Sequence, residues 1–574
     1  MAASHGQSRP LGAEAPGQQC LYYNGMFYQG ENEEQYEWVV VDQGTGQIVQ
    51  LGKPGTDLPS TPIERIDLEG QLVLPGLQDS HLHIRMLGET LSRPSFRDCR
   101  SVADMLEVVR VAHEALPPDA WIVGQHWDHE QIREGRPVTM TELEAVCPGR
   151  FCLLYRGCFH VAVASRQTLE LMGVPLTRSP AQLTALKLEQ DTVEYDATGQ
   201  ATGLLREAAA TRAFSLHEDV VTDEQRRAWI QTGLQHALEL GLTVVQPNDA
   251  HAWPIYRQLH QEGQLNLRVH LTLPYTELRD QADAADAPAA ALPPFAPWSS
   301  TDDMLRCQRI KLFADGSLGA GTAALSLPYR CAHNHDDHAH DEQHKEDRGI
   351  LNYTQDDFNA YVARAHQAGF QLEIHVIGDA AADSALTALE AAGVGPADRA
   401  ILTHCQVLSN SILPRMHKLQ TIANIQPSFV VTDAAWLHKR LDERLLEVCY
   451  AWRTLLQRGI PCAGGSDAPV ETINPLQGMH DAIFRDKPAG STEMCFLPQE
   501  RLSFDEALHL YTRGGAYAGR SEQRRGIFAE GFDADFVVLP TPVHKHPELL
   551  ASTKVSRVVV AGQTRFLRQP DDPS

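Results

Sequence analysis

No run of 18 consecutive apolar residues occurs anywhere in the chain, which argues against a membrane-spanning helix. The opening residues, Met1 to Pro10, are polar and lack the apolar h-region of a secretory signal, and the last four, Asp571 to Ser574, match no address tag. The eleven cysteines are odd in number and contain no Cys-x-x-Cys pair, so neither a disulfide framework nor a zinc-finger spacing is expected. Cys152 and Cys462 lie in apolar runs, where cysteine acts as a small buried hydrophobe, and a reducing, cytoplasmic setting fits best. Basic residues are scarce. The 49 Lys and Arg are set against 74 Asp and Glu, a formal charge of −25, which would repel a phosphate backbone. The expected partner is a small molecule, with neither nucleic acid nor membrane, and a homo-oligomer is allowed.

What remains is an ordinary globular composition, 43% apolar and 21% charged over 574 residues, long enough to bury a large core. Residues 1–19 are polar and read as a disordered tail. Short apolar or aromatic runs with turns follow to residue 72, among them Cys20–Tyr23, Trp38–Val41 and Ile48–Leu51. The same texture returns over 525–570, in Asp535–Leu539, Val555–Val560 and Thr564–Leu567. The two ends are expected to form one small β-sandwich domain. Residues 73–524 alternate apolar runs with amphipathic stretches, the pattern of repeated β-α units. Candidate strands are Leu72–Leu77, Leu242–Gln246, Leu267–Leu273, Ile310–Ala314, Leu372–Val376, Ile401–Thr403, Thr421–Gln426 and Ile460–Gly464. Eight is the count of a closed barrel. The long gap after the first strand reads as an insertion, residues 85–240, on the active-site side. The expected fold class is therefore α/β, a (β/α)8 TIM-like barrel with that insertion and the terminal sandwich. A histidine-rich stretch between Arg330 and Arg348 reads as an exposed tip without a function, although it could take up stray metal.

Most of the chemistry sits at strand ends. The first candidate strand runs into Asp79-Ser80-His81-Leu82-His83, and extended residues two apart point the same way. Lys311 lies on the fourth strand, His375 on the fifth, His404 ends the sixth and Asp467 follows the eighth. Barrel enzymes place catalytic groups at such ends. Each piece alone has a plainer reading: an incidental His-x-His, a satisfied buried histidine, a snorkelling lysine, an Asp N-cap. Together, imidazoles and a carboxylate suit Zn2+ or a similar ion. A buried lysine cannot ligate as an ammonium. As a carbamate it bridges two ions about 3.5–4 Å apart.

The runs Pro75–His83, Ile310–Gly319, Ile374–Ala380, Thr403–Gln406, Gly464–Val470 and Gly531–Leu539 resemble the amidohydrolase superfamily. They are most similar to its YtcJ-like branch, which includes N-substituted formamide deformylase. The resemblance covers roughly residues 20–565 and stops short of a substrate. It implies a two-metal site: His81, His83 and Asp467 on the first ion, His375 and His404 on the second, and carboxylated Lys311 as the bridge. Asp467 would double as general base and acid. The implied reaction is hydrolysis of a non-peptide C–N bond in an amide, formamide or cyclic amide, with zinc the first choice of metal. Gln78 stands where an apolar residue is usual, and the histidine-rich tip looks like an addition. Asp315, His160 and Glu207 are candidates for substrate binding or support, and Trp127 and Trp436 for an apolar wall. Two other readings compete. One is a mononuclear deaminase on the same barrel, against which Lys311 argues. The other is a non-catalytic scaffold, against which the complete set of six positions argues.

Overall fold

The computed structural model describes residues 18–60, 64–127, 131–156, 161–189, 192–280, 296–330, 347–486 and 495–569. The disordered tail expected at the N-terminus, His160 and nearly all of the histidine-rich stretch lie outside the described residues. The chain forms two compact units, one made of Met1–Met86 with Gly233–Ser574, the other of Leu87–Thr232.

The first unit holds the barrel. Its strands are β1 (Leu77–Leu82), β2 (Leu242–Pro247), β3 (Arg268–Pro274), β4 (Leu305–Phe313), β5 (Gln371–Val376), β6 (Ile401–His404), β7 (Ile422–Ile425) and β8 (Cys462–Gly464). They pair in sequence order and in parallel from β1 to β8. Outward residues such as Leu372, Ile374 and Val376 are apolar and buried under amphipathic helices. Helix Gln355–Gln367 starts at Thr354, whose hydroxyl accepts from Asp357 N, and buries Phe358, Val362 and Ala365 at three- and four-residue spacing. Across the seam between β8 and β1, Ser80 Oγ donates to Gly464 O at 2.6 Å and Asp467 N donates to His81 O at 2.8 Å. A Cβ on Gly465 would lie 2.9 Å from His81 N, so glycine lets the two strands meet.

Two strands differ from expectation. Leu72–Pro75 is not in the barrel; it pairs antiparallel with Phe536–Leu539, and the barrel strand is Leu77–Leu82. One apolar run is thus split at Pro75-Gly76. A Cβ at Gly76 would come 2.3 Å from Thr243 Oγ1, so the chain turns there in close contact with β2. The fourth strand starts five residues early, at Leu305 rather than Ile310, because Arg306 and Arg309 look like loop residues but are buried and paired.

The N-terminal end of the barrel is closed by Leu510–Ala518, and carbonyls at and just past its end meet buried donors. Gln246 Nε2 reaches Gly515 O at 3.0 Å, Arg309 reaches Ala518 O at 2.9 Å and Arg306 reaches Gly519 O at 2.7 Å. Both termini also build two small sheets. One runs Gln47–Gly52, Trp38–Asp42, Gln19–Tyr23, Glu64–Asp67 in order; the other runs Met26–Phe27, Leu72–Pro75, Phe536–Leu539, Arg557–Val560, Gln563–Leu567. They share one core of Tyr22, Phe27, Val39, Val73, Phe536 and Val559.

The second unit is a five-stranded mixed sheet, in the order Val193–Tyr195, Ala201–Arg206, Val161–Ala164, Cys152–Arg156, Ile122–Trp127. Strict alternation buries both of its faces: Leu153 and Tyr155 enter one core, Cys152 and Leu154 the other. Trp127 lies in the latter core with its Nε1 donating to Leu154 O at 2.8 Å, so it is packing rather than pocket wall. Among the described residues, no helix is long and apolar enough to cross a membrane, and nine cysteines are free thiols.

Candidate metal centre

The barrel gathers the six expected side chains at the carboxyl ends of its strands. His81 Nε2 and His83 Nε2 each lie 3.2 Å from Asp467 Oδ1. The ring centroids of His81 and His404 are 5.3 Å apart, and those of His375 and His404 4.5 Å. Lys311 is buried on β4 and, through Glu373, shares an oxygen atom with His81.

Hydrogen bonds fix which nitrogen each imidazole presents. His83 Nδ1 faces the Asn248 carbonyl at 2.8 Å and His375 Nε2 the Gly316 carbonyl at 2.9 Å. A carbonyl only accepts, so both nitrogens carry protons. His81 Nδ1 lies 2.7 Å from the Glu373 carboxylate and 2.9 Å from the Asn248 side-chain amide nitrogen, and the closer anion favours a proton on Nδ1. For His404 the order runs through three partners. Asn424 Nδ2 donates to Ser80 O at 2.9 Å, so Asn424 Oδ1 accepts from Gln426 Nε2 at 2.8 Å. Gln426 Oε1 then accepts from His404 Nδ1 at 2.9 Å. Nε2 of His81, His83 and His404 and Nδ1 of His375 are left with their lone pairs. Four neutral imidazoles and a carboxylate are a donor set that fits a divalent transition metal.

Electrostatics favour the neutral form at His375 and His404. Burial and the nearby Lys311 charge push His375 down to about 4. Burial and His375 hold His404 well below the usual imidazole range. Burial works against the charge on His83, but Asp467 and Asp249 outweigh it and raise this one histidine. Burial likewise opposes ionisation of Asp467, yet the His81 and His83 rings at its Oδ1 hold it well below the usual carboxylate range. Burial pulls Lys311 below the ordinary lysine range even though Glu373 faces it.

Backbone strain marks the same residues. His404 has φ +81° and Asp467 φ +58°, left-handed values that are uncommon away from glycine. Asp467 is held there by its own N–H to His81 O and by the seam below it. Asp79, buried, accepts from His81 N and Ser466 N, both at 3.1 Å, and burial raises its carboxyl to about 6.

Asp315 also comes to the site. Its carboxylate accepts from Gly378 N at 2.8 Å, Ala324 N at 3.0 Å and Ile377 N at 3.1 Å, and lies 3.4 Å from His375 Nε2. Burial raises it to about 7. Glu207 belongs to the Leu87–Thr232 unit, exposed, with φ +45° ahead of helix Ala208–Glu218. Trp436 is half-buried with Arg440 over its ring at 5.5 Å. Sequence reasoning missed Glu373, Asn248 and Gln426. The signal for Glu373 was present: an acid two residues before His375, on the same face of a strand whose polar and apolar residues alternate. Among the described residues, one further group of possible ligand atoms exists, Glu89, His217 and Glu218 in the second unit, where Arg93 already pairs with Glu89.

The amidohydrolase family profile matches residues 64–566. The chain is 29% identical to YtcJ of Bacillus subtilis over 95% of its own length and 98% of that protein. It is 26% identical to the N-substituted formamide deformylase of Arthrobacter pascens, over 92% and 95% of the two chains. In structure it is similar to a metal-dependent hydrolase of Pyrococcus furiosus, with a TM-score of 0.74 and 27% identity over 92% of this chain and all of that one. A profile match across most of the chain, on a barrel with histidines and an aspartate at its strand ends, establishes that this protein belongs to the amidohydrolase family.

Proposed function

We propose that this protein is a metal-dependent hydrolase of a non-peptide C–N bond in a small amide, formamide or cyclic amide. The observation that carries the reading is the convergence of His81 Nε2, His83 Nε2 and Asp467 Oδ1 within 4.8 Å of one another, each imidazole locked from behind. His81, His83 and Asp467 would hold one ion; His375 and His404 would hold a second. Lys311, made less basic by burial, would bridge them as its carbamate. Divalent ions such as Zn2+ polarise a carbonyl and bring the pKa of water near neutrality. Asp467, ionised and at the mouth of β8, takes the proton of the attacking water on its carboxylate and returns it to the leaving nitrogen. Asp315, held by three backbone N–H groups, supports His375 from behind.

The relatives support this reading: one is named for deformylation of substituted formamides and another for metal dependence. Protein stripped with a chelator is expected to lose amide hydrolysis and to regain it with Zn2+. Turnover that persists in metal-free protein would refute the reading. One observation favours a second reading, a deaminase with a single ion at His81, His83 and Asp467: Lys311 Nζ lies 2.9 Å from Glu373 Oε1, paired as an ammonium. Metal stoichiometry by native mass spectrometry, two ions or one, separates the two.

Phe313 bears on the substrate. It lies two residues beyond Lys311 on β4 and so shares its face, it is 43% exposed, and its ring is 5.6 Å from that of His375. A large exposed aromatic over the site suits an amide with an apolar or aryl substituent. Phe313→Ala is expected to raise KM for an N-aryl amide by about tenfold, the loss of about 1.4 kcal/mol of apolar contact, and to change kcat little. Equal KM values in variant and wild type would remove Phe313 from the binding surface.

A further inference from the structure

Beneath the candidate ligands lies a carboxylate to which the reading above assigns no role of its own. Glu373 projects from β5 into the barrel and is fully buried. Its Oε1 accepts from His81 Nδ1 at 2.7 Å, Lys311 Nζ at 2.9 Å, Asn248 Nδ2 at 3.1 Å and Thr403 Oγ1 at 3.2 Å. Its Oε2 accepts from Arg309 at 3.1 Å and Thr272 Oγ1 at 3.4 Å. Donors from β1, β3, β4 and β6, and from the residue just past β2, thus meet on one side chain.

We propose that Glu373 is the positioning residue of the metal centre, fixing both histidines of the His81-Leu82-His83 pair with their Nε2 atoms turned toward Asp467. A counter-charge for Lys311 and Arg309 needs no contact with His81. Glu373 makes that contact, at the shortest of its distances; the Asn248 side-chain amide nitrogen lies 2.9 Å from the same His81 Nδ1, and against that donor the closer anion favours the tautomer with the proton on Nδ1. It reaches His83 through Asn248, whose side chain donates to Glu373 while its main-chain carbonyl takes the His83 Nδ1 proton. One carboxylate therefore aims two imidazoles, a role that typically governs metal affinity as well as ligand direction. The inference rests on the reading that these histidines hold an ion.

The test is metal affinity and spectrum rather than turnover. Metal-free protein is titrated with Zn2+ in competition with a chromophoric chelator, and with Co2+ for its visible bands. Glu373→Gln is expected to bind Zn2+ about 10- to 100-fold more weakly and to give altered Co2+ bands, with Glu373→Asp recovering part of the affinity. Affinity and bands equal to wild type in folded Glu373→Gln overturn the proposal and leave the metal reading standing. A wild type that takes up no divalent ion sinks the metal reading, and this inference with it. Glu373→Gln also strips a buried counter-charge from Lys311 and Arg309, so the double variant with Arg309→Gln, which removes one charge of each sign, is titrated alongside. The same weakening is expected there. Whichever variants fold, a crystal structure of the Zn2+-loaded wild type decides as well: Glu373 should remain within hydrogen-bond distance of His81 Nδ1. A carboxylate swung away from His81, or itself bound to the ion, overturns the assignment.

Discussion

Asp467→Asn is expected to lower kcat by about four orders of magnitude, equivalent to about 5.5 kcal/mol of transition-state stabilisation. The substitution keeps size and shape. It also keeps the backbone that matters, because Asn tolerates the left-handed conformation that Asp467 adopts at φ +58°, and the N–H to His81 O at 2.8 Å is untouched. What disappears is the negative charge facing two imidazoles at 3.2 Å and, with it, the carboxylate that takes up the proton. Thermal stability should therefore change far less than turnover. The measurement is kcat on any amide that the wild type hydrolyses, with metal content determined on the same samples. A variant that keeps its ions and still turns over within tenfold of wild type would take the proton-transfer role away from Asp467. A variant that loses its ions instead would show that ligation is the dominant role of this side chain.

How much of this was legible beforehand depended on local pattern. His81, His83, Lys311, His375, His404 and Asp467 could be picked out because barrel strands end where catalytic groups belong, and each sits at such an end. Alternation makes the barrel interior readable as well: Gln371, Glu373 and His375 alternate with Leu372, Ile374 and Val376, polar inward and apolar outward under the helices. Glu373 was passed over because an acid in a strand has no obvious partner until β1, β3, β4 and β6 are folded around it. Strand boundaries were hidden by a similar effect. Arg306 and Arg309 look like solvent-facing residues, whereas their guanidinium groups are absorbed by Asp303, Glu373 and the carbonyls at the end of Gly515–Ala518. The split at Pro75-Gly76 is a tertiary event: the first half of one apolar run finds Phe536–Leu539 and the second half finds β2. Asp315 could be suspected only from its place after the lysine strand. Its three backbone donors come from Ala324, Ile377 and Gly378, which no local pattern connects.

Asp535→Ala is expected to cost about 3–5 kcal/mol of stability at neutral pH, because it strips the buried Arg268 guanidinium of its two-pronged partner and leaves only Asp533, at 3.4 Å, as a counter-charge. Asp535 lies just before the sheet strand Phe536–Leu539, while Arg268 opens β3 of the barrel, and both side chains are almost fully buried. Arg268 Nε donates to Asp535 Oδ2 at 2.8 Å and its NH2 to Oδ1 at 3.1 Å, a two-pronged pair that ties the terminal sheet to the barrel. Asp533 and Asp303 extend it: Arg525 Nε is 2.7 Å from Asp533 Oδ2, and Arg525 also pairs with Asp303, which in turn pairs with Arg306 and Arg524. Burial and the neighbouring Arg268 lower Arg525 only to about 10, so it stays charged at neutral pH. Burial opposes the charges on Asp535 and Asp303, but the arginines outweigh it and hold both below the ordinary carboxylate range. The sign of the pH dependence follows. A carboxylate whose folded pKa is depressed adds stability that is fully present above its unfolded pKa of about 3.9 and is lost as pH falls below that value. Denaturant unfolding of the wild type should therefore show stability falling steeply below about pH 4. In Asp535→Ala part of that loss has already been taken, so the gap between the two proteins should narrow on acidification. A gap of the same size at pH 7 and at pH 3 would mean that the substitution removed packing, and that the Arg268–Asp535 pair does not hold the sheet to the barrel by charge.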